Sequence, residues 1–508
     1  MIYNLPDSLQ NLPERCQIVV VGSGAGGAVL AAELSAAGYE VVVLEEGGYY
    51  PTSRFGHDPL RMLPRLYRHA GGDSTIGRPG VLFTEGRCVG GGTVVNAGIC
   101  YRTPPEILHR WAMVLGSVEF LPEHMEGLFR RVEERLHITE VPESLESQDT
   151  RLMKKAAEAL RYHYVRVKRN IHECMGTNLC IMGCPTSAKQ STLVSYLPEA
   201  ERHGVRIYSH CRVKRLILDG ARATGVEYQI RNPVSGRIYY HGRIRADHVF
   251  LAAGAMQTPA LLYRSGVARR LKAVGKSLYL HPNVKVIGIF DTPVHGWQGS
   301  IQSIQIDHFA EEGFTFGSTF LPPGILALSL PFFGREMDRL MEQFNALSVW
   351  GVLIEDSHPG RLYFTPGGHP LAYYKITRMD KERALAGTVK LAQLFFAAGV
   401  REVILPIRHF EHALSPDDLK RLMQADIKTG QLNLISVHLM GTCRMGRDPK
   451  TSVVDLDHRV HGLQNVYIAD ASIFPGPIRV NPMVTIMALA TRAAQCFAGQ
   501  REWVQRAA

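Results

Sequence analysis

The chain has 508 residues, 45% of them hydrophobic, which is enough to bury the core of two or more lobes and excludes a single small module. Prolines and glycines are spread along it without a low-complexity tract or an internal repeat, which excludes a mainly disordered chain and a repeat protein. The formal net charge of +10 indicates attraction to anions, but basic clusters such as residues 161–169 are more typical of a solvated face, so we expect no nucleic-acid partner.

The amino-terminal segment, residues 1–17, contains neither a basic leader followed by an apolar stretch nor a twin-arginine signal. No run of about 18 apolar residues occurs along the chain. We therefore expect a cytoplasmic protein without a transmembrane segment, whose nine cysteines stay mostly reduced.

The first predicted unit is a βαβ unit within residues 17–47. An apolar strand at 18–21, a small-residue helix at 28–37 and a second apolar strand at 41–44 follow one another. The turn at 22–27 has the GxGxxG spacing that allows a tight bend, close approach to a pyrophosphate and close packing of the helix. Glu45 follows Gly22 by 23 positions, where a carboxylate accepts hydrogen bonds from ribose hydroxyls. The pattern predicts a bound dinucleotide with an unphosphorylated ribose, either FAD or NAD.

Two loops with unusual composition come next. Residues 86–96 read GRCVGGGTVVN, and Cys174, Cys180 and Cys184 have the spacing C-x5-C-x3-C with a proline directly after the last. Short thiolate spacings of this kind are typical of iron–sulfur clusters and less typical of zinc sites. The residues leave two alternatives open: an iron–sulfur cluster, or three reduced cysteines in a loop.

The middle of the chain adds one more motif and several elements. Residues 252–266 read AAGAMQTPALLYRSG, and the apolar segment at 321–333, with three prolines, predicts a loop or a pocket wall. Strands are predicted at 349–354, 361–364 and 372–376, and a helix at 383–398.

Two motifs lie near the carboxyl end. Residues 438–446 read HLMGTCRMG, and residues 465–475, NVYIADASIFP, are followed by NPMVTIMALA at 481–490. A strand at 466–469 and a small-residue helix at 485–494 are predicted there. This arrangement would place Asp470 at the carboxyl edge of a sheet, where open α/β folds bind ligands.

Together, the four motifs at 86–96, 252–266, 438–446 and 465–490 resemble the signatures of the glucose-methanol-choline (GMC) oxidoreductases, in the same order. The resemblance implies an α/β fold with a Rossmann-like FAD-binding domain built from discontinuous segments, 15–105, 190–290 and 430–508. A substrate domain with an antiparallel sheet and helices would then comprise residues 106–189 and 291–429.

The resemblance also implies which residues bind FAD. They are Gly22, Gly24, Ala25, Gly27, Glu45, Gly86, Gly91, Thr93, Asn96, Val213, Ala253, Asp470, Ala471, Pro482 and Met483. Some members of the family attach FAD through a histidine just before the flavin-loop asparagine. Because that position is Val95 here, we expect FAD to be bound without a covalent link.

Oxidation of an alcohol needs a base, a donor for the developing alkoxide and a hydride acceptor. The resemblance implies His438 as the base and Asn481 as the donor, with flavin as the acceptor. His281 matches a family position near the active centre, although a structural histidine in a turn is equally consistent. The apolar segment at 321–333 favours a lipophilic alcohol or sterol as the substrate.

Residues 184–192 are similar to two branches of the family, which imply different electron acceptors. Long-chain alcohol or sterol oxidases use oxygen, and a quinone is an alternative, whereas FAD sugar dehydrogenases pass electrons through an iron–sulfur cluster to a protein partner. The scaffold also supports a hydroxynitrile lyase with structural FAD, and a redox-silent flavin module. Substrate-driven bleaching of flavin distinguishes an alcohol oxidoreductase from both.

Overall fold

The computed structural model describes residues 1–4, 12–232, 235–330 and 332–499. The strands of this part, in chain order, are β1 (Ile2–Tyr3), β2 (Arg15–Val21), β3 (Val41–Leu44), β4 (Asp73–Ser74), β5 (Val81–Phe83), β6 (Ile138–Glu140), β7 (Tyr164–Arg166), β8 (Lys168–Asn170), β9 (Arg206–Tyr208), β10 (Cys211–Asp219), β11 (Arg222–Arg231), β12 (Ile238–Leu251), β13 (Lys276–Leu278), β14 (Asn283–Ile289), β15 (Ile304–Ile306), β16 (Phe314–Thr319), β17 (Leu347–Ile354), β18 (Gly360–Phe364), β19 (Pro370–Tyr373), β20 (Glu402–Ile404), β21 (His412–Ala413), β22 (Leu434–Ser436) and β23 (Val466–Ile468). Its α-helices are α1 (Ala25–Ala36), α2 (Pro59–Leu66), α3 (Gly92–Val95), α4 (Pro105–Leu115), α5 (Pro122–Arg135), α6 (Gln148–Ala159), α7 (Tyr196–Arg202), α8 (Gly254–Arg264), α9 (Pro323–Ser329), α10 (Arg335–Glu342), α11 (Arg378–Ala397), α12 (Pro416–Gln424) and α13 (Met483–Phe497).

The first sheet confirms the predicted Rossmann-like arrangement. Its strands follow the order β1-β9-β3-β2-β12-β11-β10, and β23 also pairs with β12. The pairs from β1 to β12, and the pair of β12 with β23, are parallel, while β10, β11 and β12 form an antiparallel meander. The carboxyl ends of β2, β3, β12 and β23 therefore meet at one edge, where an open α/β sheet binds its ligand.

Helix α1 begins at Ala25, three residues earlier than the predicted position 28 and within the glycine-rich turn. The amide of Ala28 already donates to the carbonyl of Gly24, at 3.0 Å, so the helical bonds begin inside the turn. A Cβ on Gly26 would lie 1.7 Å from the carbonyl oxygen of Ala469, and one on Gly27 would lie 1.9 Å from that of Gly22. Glycine is therefore needed here for α1 to pack against the end of β23.

The second sheet confirms the predicted antiparallel character of the other part of the chain. Its ten strands follow the order β4-β5-β22-β14-β17-β16-β15-β7, with β20 and β21 attached, and only β5 and β22 pair in parallel. Helix α11 covers one face, where Phe395 stacks on Trp350 with ring centroids 3.7 Å apart. The opposite face is turned towards the first sheet and forms a wall of the cavity described below.

The predicted elements of this second part differ from the observed ones mainly at their ends. Strand β17 begins at Leu347, β18 spans Gly360–Phe364, and the strand predicted at 372–376 lies earlier, at Pro370–Tyr373. Helix α11 begins at Arg378 because the Thr377 side chain caps it, accepting from the amide of Asp380 at 3.0 Å.

The apolar segment predicted as a loop or pocket wall contains helix α9. Leu321, Ile325 and Ser329 of this segment line the cavity, while Pro331 lies outside the described residues.

Two hydrophobic cores bear on the division into domains. Helices α4 and α5 contribute Trp111 and Phe129 to the core around the first sheet, whereas β14 contributes Val284 and Val286 to the core around the second. We therefore propose that residues 105–136 join the predicted FAD-binding segments and that the second part begins before β14. Residues 500–508 of the predicted last segment lie outside the described residues.

In the described ranges, every helix is too short or too polar to span a membrane.

Candidate active site

A cavity of about 600 Å³ lies between the two sheets. The edge of the first sheet supplies one wall, including the turn before α1, and the open face of the second sheet supplies the other. The volume is within the range of known cofactor and small-ligand sites.

The cavity brings together almost all residues predicted to bind FAD. The cavity-lining members of that set are Gly22, Gly24, Ala25, Glu45, Gly86, Gly91, Thr93, Asn96, Val213, Ala253, Asp470, Ala471, Pro482 and Met483. Gly27 is the exception, because it packs against Gly22 behind the turn. Its place agrees with the helix-packing role of the third glycine in this kind of turn.

The start of α1 fits a pyrophosphate. No side chain caps this helix end, and its first turn carries no acidic residue, so its backbone N–H groups are left for a ligand. Glu45 closes the other side of the turn: its carboxylate accepts from the amide and hydroxyl of Ser23, at 2.9 and 2.7 Å, and from the amide of Gly47, at 2.7 Å. Burial raises the pKa of Glu45, and these hydrogen bonds oppose that effect.

Asp470 joins two of the predicted motifs at the same edge of the sheet. Its carboxylate accepts from the amide of Gly254 at 2.9 Å, the hydroxyl of Thr258 at 2.6 Å and the amide of Ser472 at 2.9 Å. The start of α8 and the segment after β23 are thereby held together beside the cavity. A buried carboxylate with three donors is a fixed group that can also face a cofactor hydroxyl.

Sequence reasoning missed Lys189, which holds the flavin-loop segment in place. Its ammonium donates to the carbonyls of Val94, Asn96 and Cys180 at 2.7, 2.7 and 2.6 Å, and the residue is 2% exposed. Burial lowers its pKa to about 8. Nothing in the sequence indicated this role, since the three carbonyls come from two distant loops.

We predict that Lys189→Met destabilises the protein by about 3 kcal/mol, because it leaves three buried carbonyls without a donor. Chemical denaturation of the apoprotein measures this loss, and a titration with FAD should show weaker binding, because Asn96 lines the cavity. As a control, Lys276→Met, at an exposed position of strand β13, should leave both quantities unchanged. Equal stability of Lys189→Met and the unmodified protein would contradict the prediction.

A second group that sequence reasoning missed is a charged network around Glu46 in the wall of the cavity. Arg68 pairs with Glu46 at 3.0 Å and with Glu85 at 3.2 Å, and Arg212 approaches Glu46 at 3.5 Å. Burial alone would raise the pKa of Glu46, but Arg68 and Arg212 outweigh it and lower this pKa to about 2. All four side chains line the cavity, and the signal in the sequence was the second glutamate directly after Glu45.

The structure brings the two predicted catalytic residues into contact. Nδ2 of Asn481 lies 3.1 Å from Nε2 of His438, and both residues line the cavity. Burial, together with the ammonium of Lys285, lowers the pKa of His438 to about 4. At neutral pH the imidazole is uncharged, and Nε2 can accept a proton from a group placed beside Asn481.

His281 lies directly behind His438, with the two rings perpendicular and their centroids 5.7 Å apart. Its Nε2 accepts from the backbone amides of Ile478 and Arg479, each at 3.3 Å. Burial lowers the pKa of His281 well below its usual value. With Nε2 occupied by the loop that leads to Asn481, His281 is suited to positioning this loop.

The iron–sulfur alternative for Cys174, Cys180 and Cys184 is not supported. In the ranges that the structure describes, no group of three or more His, Cys, Asp or Glu side chains is arranged to hold a metal ion. Each sulfur instead accepts from a separate donor: the amide of Gly176, the guanidinium of Arg169 and the amide of Lys189. The short spacing in sequence does not bring the three thiols to a common centre, so we interpret them as reduced cysteines.

The chain is similar to known proteins along most of its length. Residues 63–283 and 365–490 match two family models described as GMC oxidoreductase, and residues 20–71 match the model of an NAD(P)-binding Rossmann-like domain. An uncharacterised GMC-type oxidoreductase, y4nJ of Sinorhizobium fredii, is 34% identical over 493 residues, which cover 96% of either chain.

Two named enzymes are more distant. Long-chain-alcohol oxidase FAO3 of Arabidopsis thaliana is 28% identical over 518 residues, covering 94% of this chain and 67% of that protein. The crystal structure of pyridoxine 4-oxidase from Mesorbium loti superimposes with a TM-score of 0.73 at 20% identity, covering 95% of this chain and 99% of that one. The second match shows a common fold.

Proposed function

Because the chain belongs to the GMC oxidoreductase family, we propose that it oxidises the CH–OH group of a lipophilic alcohol, with non-covalently bound FAD and with His438 as the base. The observation that carries this proposal is the contact between His438 and Asn481 in the same cavity as the dinucleotide turn. The long-chain-alcohol oxidase of Arabidopsis thaliana supports the substrate class.

The residues of the chain divide the work as follows. FAD, when bound, supplies the hydride acceptor. Nε2 of His438 takes the hydroxyl proton, since its lowered pKa keeps this nitrogen unprotonated at neutral pH. Asn481 donates a hydrogen bond to the same oxygen as negative charge develops on it. Asn481 cannot serve as a second base, so His438 carries that role alone.

The cavity itself favours an apolar chain next to the reacting carbon. Its apolar lining includes Leu321 just before α9, Ile325 within α9, Leu353 from β17 and Val437 beside the base. Burial of an alkyl chain against such side chains contributes roughly 0.8 kcal/mol per methylene group. Longer alkanols should accordingly be better substrates than short ones.

The experiment is anaerobic mixing of the FAD-loaded protein with primary alkanols of increasing length across a range of pH. We expect bleaching of the flavin absorbance, and a rate per substrate concentration that is constant above about pH 5 and falls as the pH drops through about 4. The sign follows because only unprotonated His438 accepts the proton. Repeating the reaction in air determines whether oxygen reoxidises the flavin.

A flavin that stays oxidised with every alcohol while the protein converts a cyanohydrin would favour a lyase and contradict the proposal. If the rate of flavin bleaching instead falls near the usual pKa of a histidine, the buried imidazole is not the group that titrates.

A further inference from the structure

Lys285 is a cation within the cavity that no residue in the described part of the chain neutralises. It lies at the middle of β14, is partly open to the cavity and is otherwise enclosed by protein. Within the described ranges it forms neither an ion pair nor a hydrogen bond. Burial lowers its pKa to about 8, so it is still mostly charged at neutral pH. A charged group taken out of water without a partner is costly, which points to a partner supplied by a ligand.

The register of the second sheet builds a recess beside this ammonium. Lys285 is paired with Gly351, Gly351 with Gly317, and Gly317 with Gln305, so the four residues form one row across β14, β17, β16 and β15. Residues opposite one another in adjacent strands share a face of the sheet, and this row lies on the cavity face. Two adjacent glycines leave its centre without side chains.

The ammonium leans over this bare centre. A Cβ on Gly351 would lie 2.7 Å from Nζ of Lys285 and 3.1 Å from Oδ1 of Asn283, while a Cβ on Gly317 would meet no atom within 4 Å. The space above Gly317 is therefore open and adjoins the ammonium. Across it, Gln305 donates to Thr315 Oγ1 at 2.9 Å, which leaves the Thr315 hydroxyl hydrogen for a ligand.

The carboxylates of the cavity cannot serve as the partner, because each is engaged at the flavin side. Glu45 is held by the turn before α1, Glu46 and Glu85 by Arg68, and Asp470 by α8. The charged or titratable groups near Lys285 on the other side are His438, whose pKa it lowers, and His281 behind it. Both imidazoles are uncharged at neutral pH, so among the described residues the ammonium of Lys285 is the charge that makes the field in the recess positive.

We propose that the substrate is an alcohol that also carries a carboxylate, which pairs with Lys285 over Gly317 while the hydroxyl lies at His438 and Asn481. One ammonium and one hydroxyl donor match a singly charged carboxylate better than a phosphate, which usually collects several N–H donors. This inference rests on the proposed alcohol oxidation and narrows its substrate to a hydroxy acid, with the apolar wall contacting the chain between the two groups.

The test compares each hydroxy acid with its methyl ester, which has nearly the same shape and no charge. Suitable pairs are 4-(hydroxymethyl)benzoate and a graded series of ω-hydroxyalkanoates, each with its ester, given to the FAD-loaded enzyme. We expect the acid to be preferred roughly tenfold or more in kcat/KM, and Lys285→Met to lower kcat/KM for the acid about 100-fold and abolish the preference. The control variant Lys276→Met, changed at an exposed position, should keep the preference for the acid.

A second variant and a binding measurement test the carboxylate site independently of Lys285→Met and of turnover. Gly317→Val fills the recess while Lys285 is kept, and it should remove the acid preference even if Lys285→Met does not fold. Binding of 4-methylbenzoate, which has no hydroxyl to oxidise, should perturb the flavin spectrum of the unmodified holoenzyme, and this perturbation should disappear in Lys285→Met.

The outcomes separate the two proposals. Equal kcat/KM for acid and ester, or a preference that persists in Lys285→Met, overturns the carboxylate site and leaves alcohol oxidation standing. If no alcohol or hydroxy acid bleaches the flavin, the proposed oxidation fails, and Lys285-dependent binding of 4-methylbenzoate still supports the anion site. Absence of that binding overturns the anion site as well.

Discussion

Replacement of His438 by alanine is expected to slow anaerobic reduction of the flavin by an alcohol roughly 10³-fold, with FAD still bound. The loss follows from removing the group whose Nε2 lies 3.1 Å from Asn481 and would accept the hydroxyl proton. FAD should be retained because His438 is outside the set that surrounds the dinucleotide turn. Stopped-flow absorbance measures the rate, and the flavin-to-protein absorbance ratio measures occupancy.

A matched control is His248→Ala, since His248 is half-buried and does not line the cavity. Its rate of flavin reduction should equal that of the unmodified enzyme. A His438→Ala enzyme that reduces its flavin at a comparable rate would remove this histidine from the role of base. Loss of FAD in that variant would instead give His438 a part in cofactor binding.

Gly26→Ala is expected to cost about 3 kcal/mol of stability and to leave most of the purified protein without FAD. A Cβ at this position would lie 1.7 Å from the Ala469 carbonyl oxygen, and a backbone atom cannot swing aside as a side chain can. Helix α1 must then shift away from β23, and with it the turn that faces the cofactor. Chemical denaturation and flavin absorbance measure the two effects.

Two other glycines provide controls for that substitution. Gly127→Ala, in the middle of α5, meets no atom within 4 Å and should stabilise the protein slightly, since alanine favours a helix over glycine. In Gly24→Ala, the new Cβ would lie 3.8 Å from Cα of Gly91 and near no other atom. This variant should therefore fold normally and show only weaker FAD binding. If Gly26→Ala were as stable as Gly127→Ala, the packing of α1 against β23 would be less tight than its geometry indicates.

The first βαβ unit could be predicted from the sequence because it depends on short, local patterns, whereas the placing of His438 and Asn481 in one site was implied only by the resemblance to a family. The glycine turn and the apolar strands β2 and β3 specify their own structure within a few residues. Family motifs then brought distant segments together. The helix at α1 was still placed three residues late, because the helical bonds begin within the turn.

The substrate side could not be predicted in the same way. In β14, Asn283 and Lys285 lie on one face of the sheet, and Val284 and Val286 lie on the other. In a sequence, this alternation is typical of an ordinary strand whose polar face is solvated. That polar face instead borders a cavity, and which side chains and glycines lie beside Lys285 depends on the register of four strands. Gly351 and Gly317 gave no local signal, since each matters only through its neighbours across the sheet.

The cysteine spacing shows the opposite error, in which a local pattern suggested an iron–sulfur site that the fold does not support. Short separations along the chain keep Cys174, Cys180 and Cys184 near one another but do not orient their sulfurs. A metal ion needs ligand atoms that point to a common centre, and the fold of the backbone, not the spacing in sequence, determines whether they do.

The contact of Gly26 with Ala469, and the bonds of Asp470 to α8, have a consequence for biosynthesis. The dinucleotide turn is made in the first tenth of the chain, yet its floor is supplied by residues near position 470. We therefore expect a nascent polypeptide held on the ribosome before that point not to retain FAD. Loading of the proposed cofactor should then follow synthesis of β23, and a ribosome stalled upstream of this strand should carry a chain without flavin absorbance.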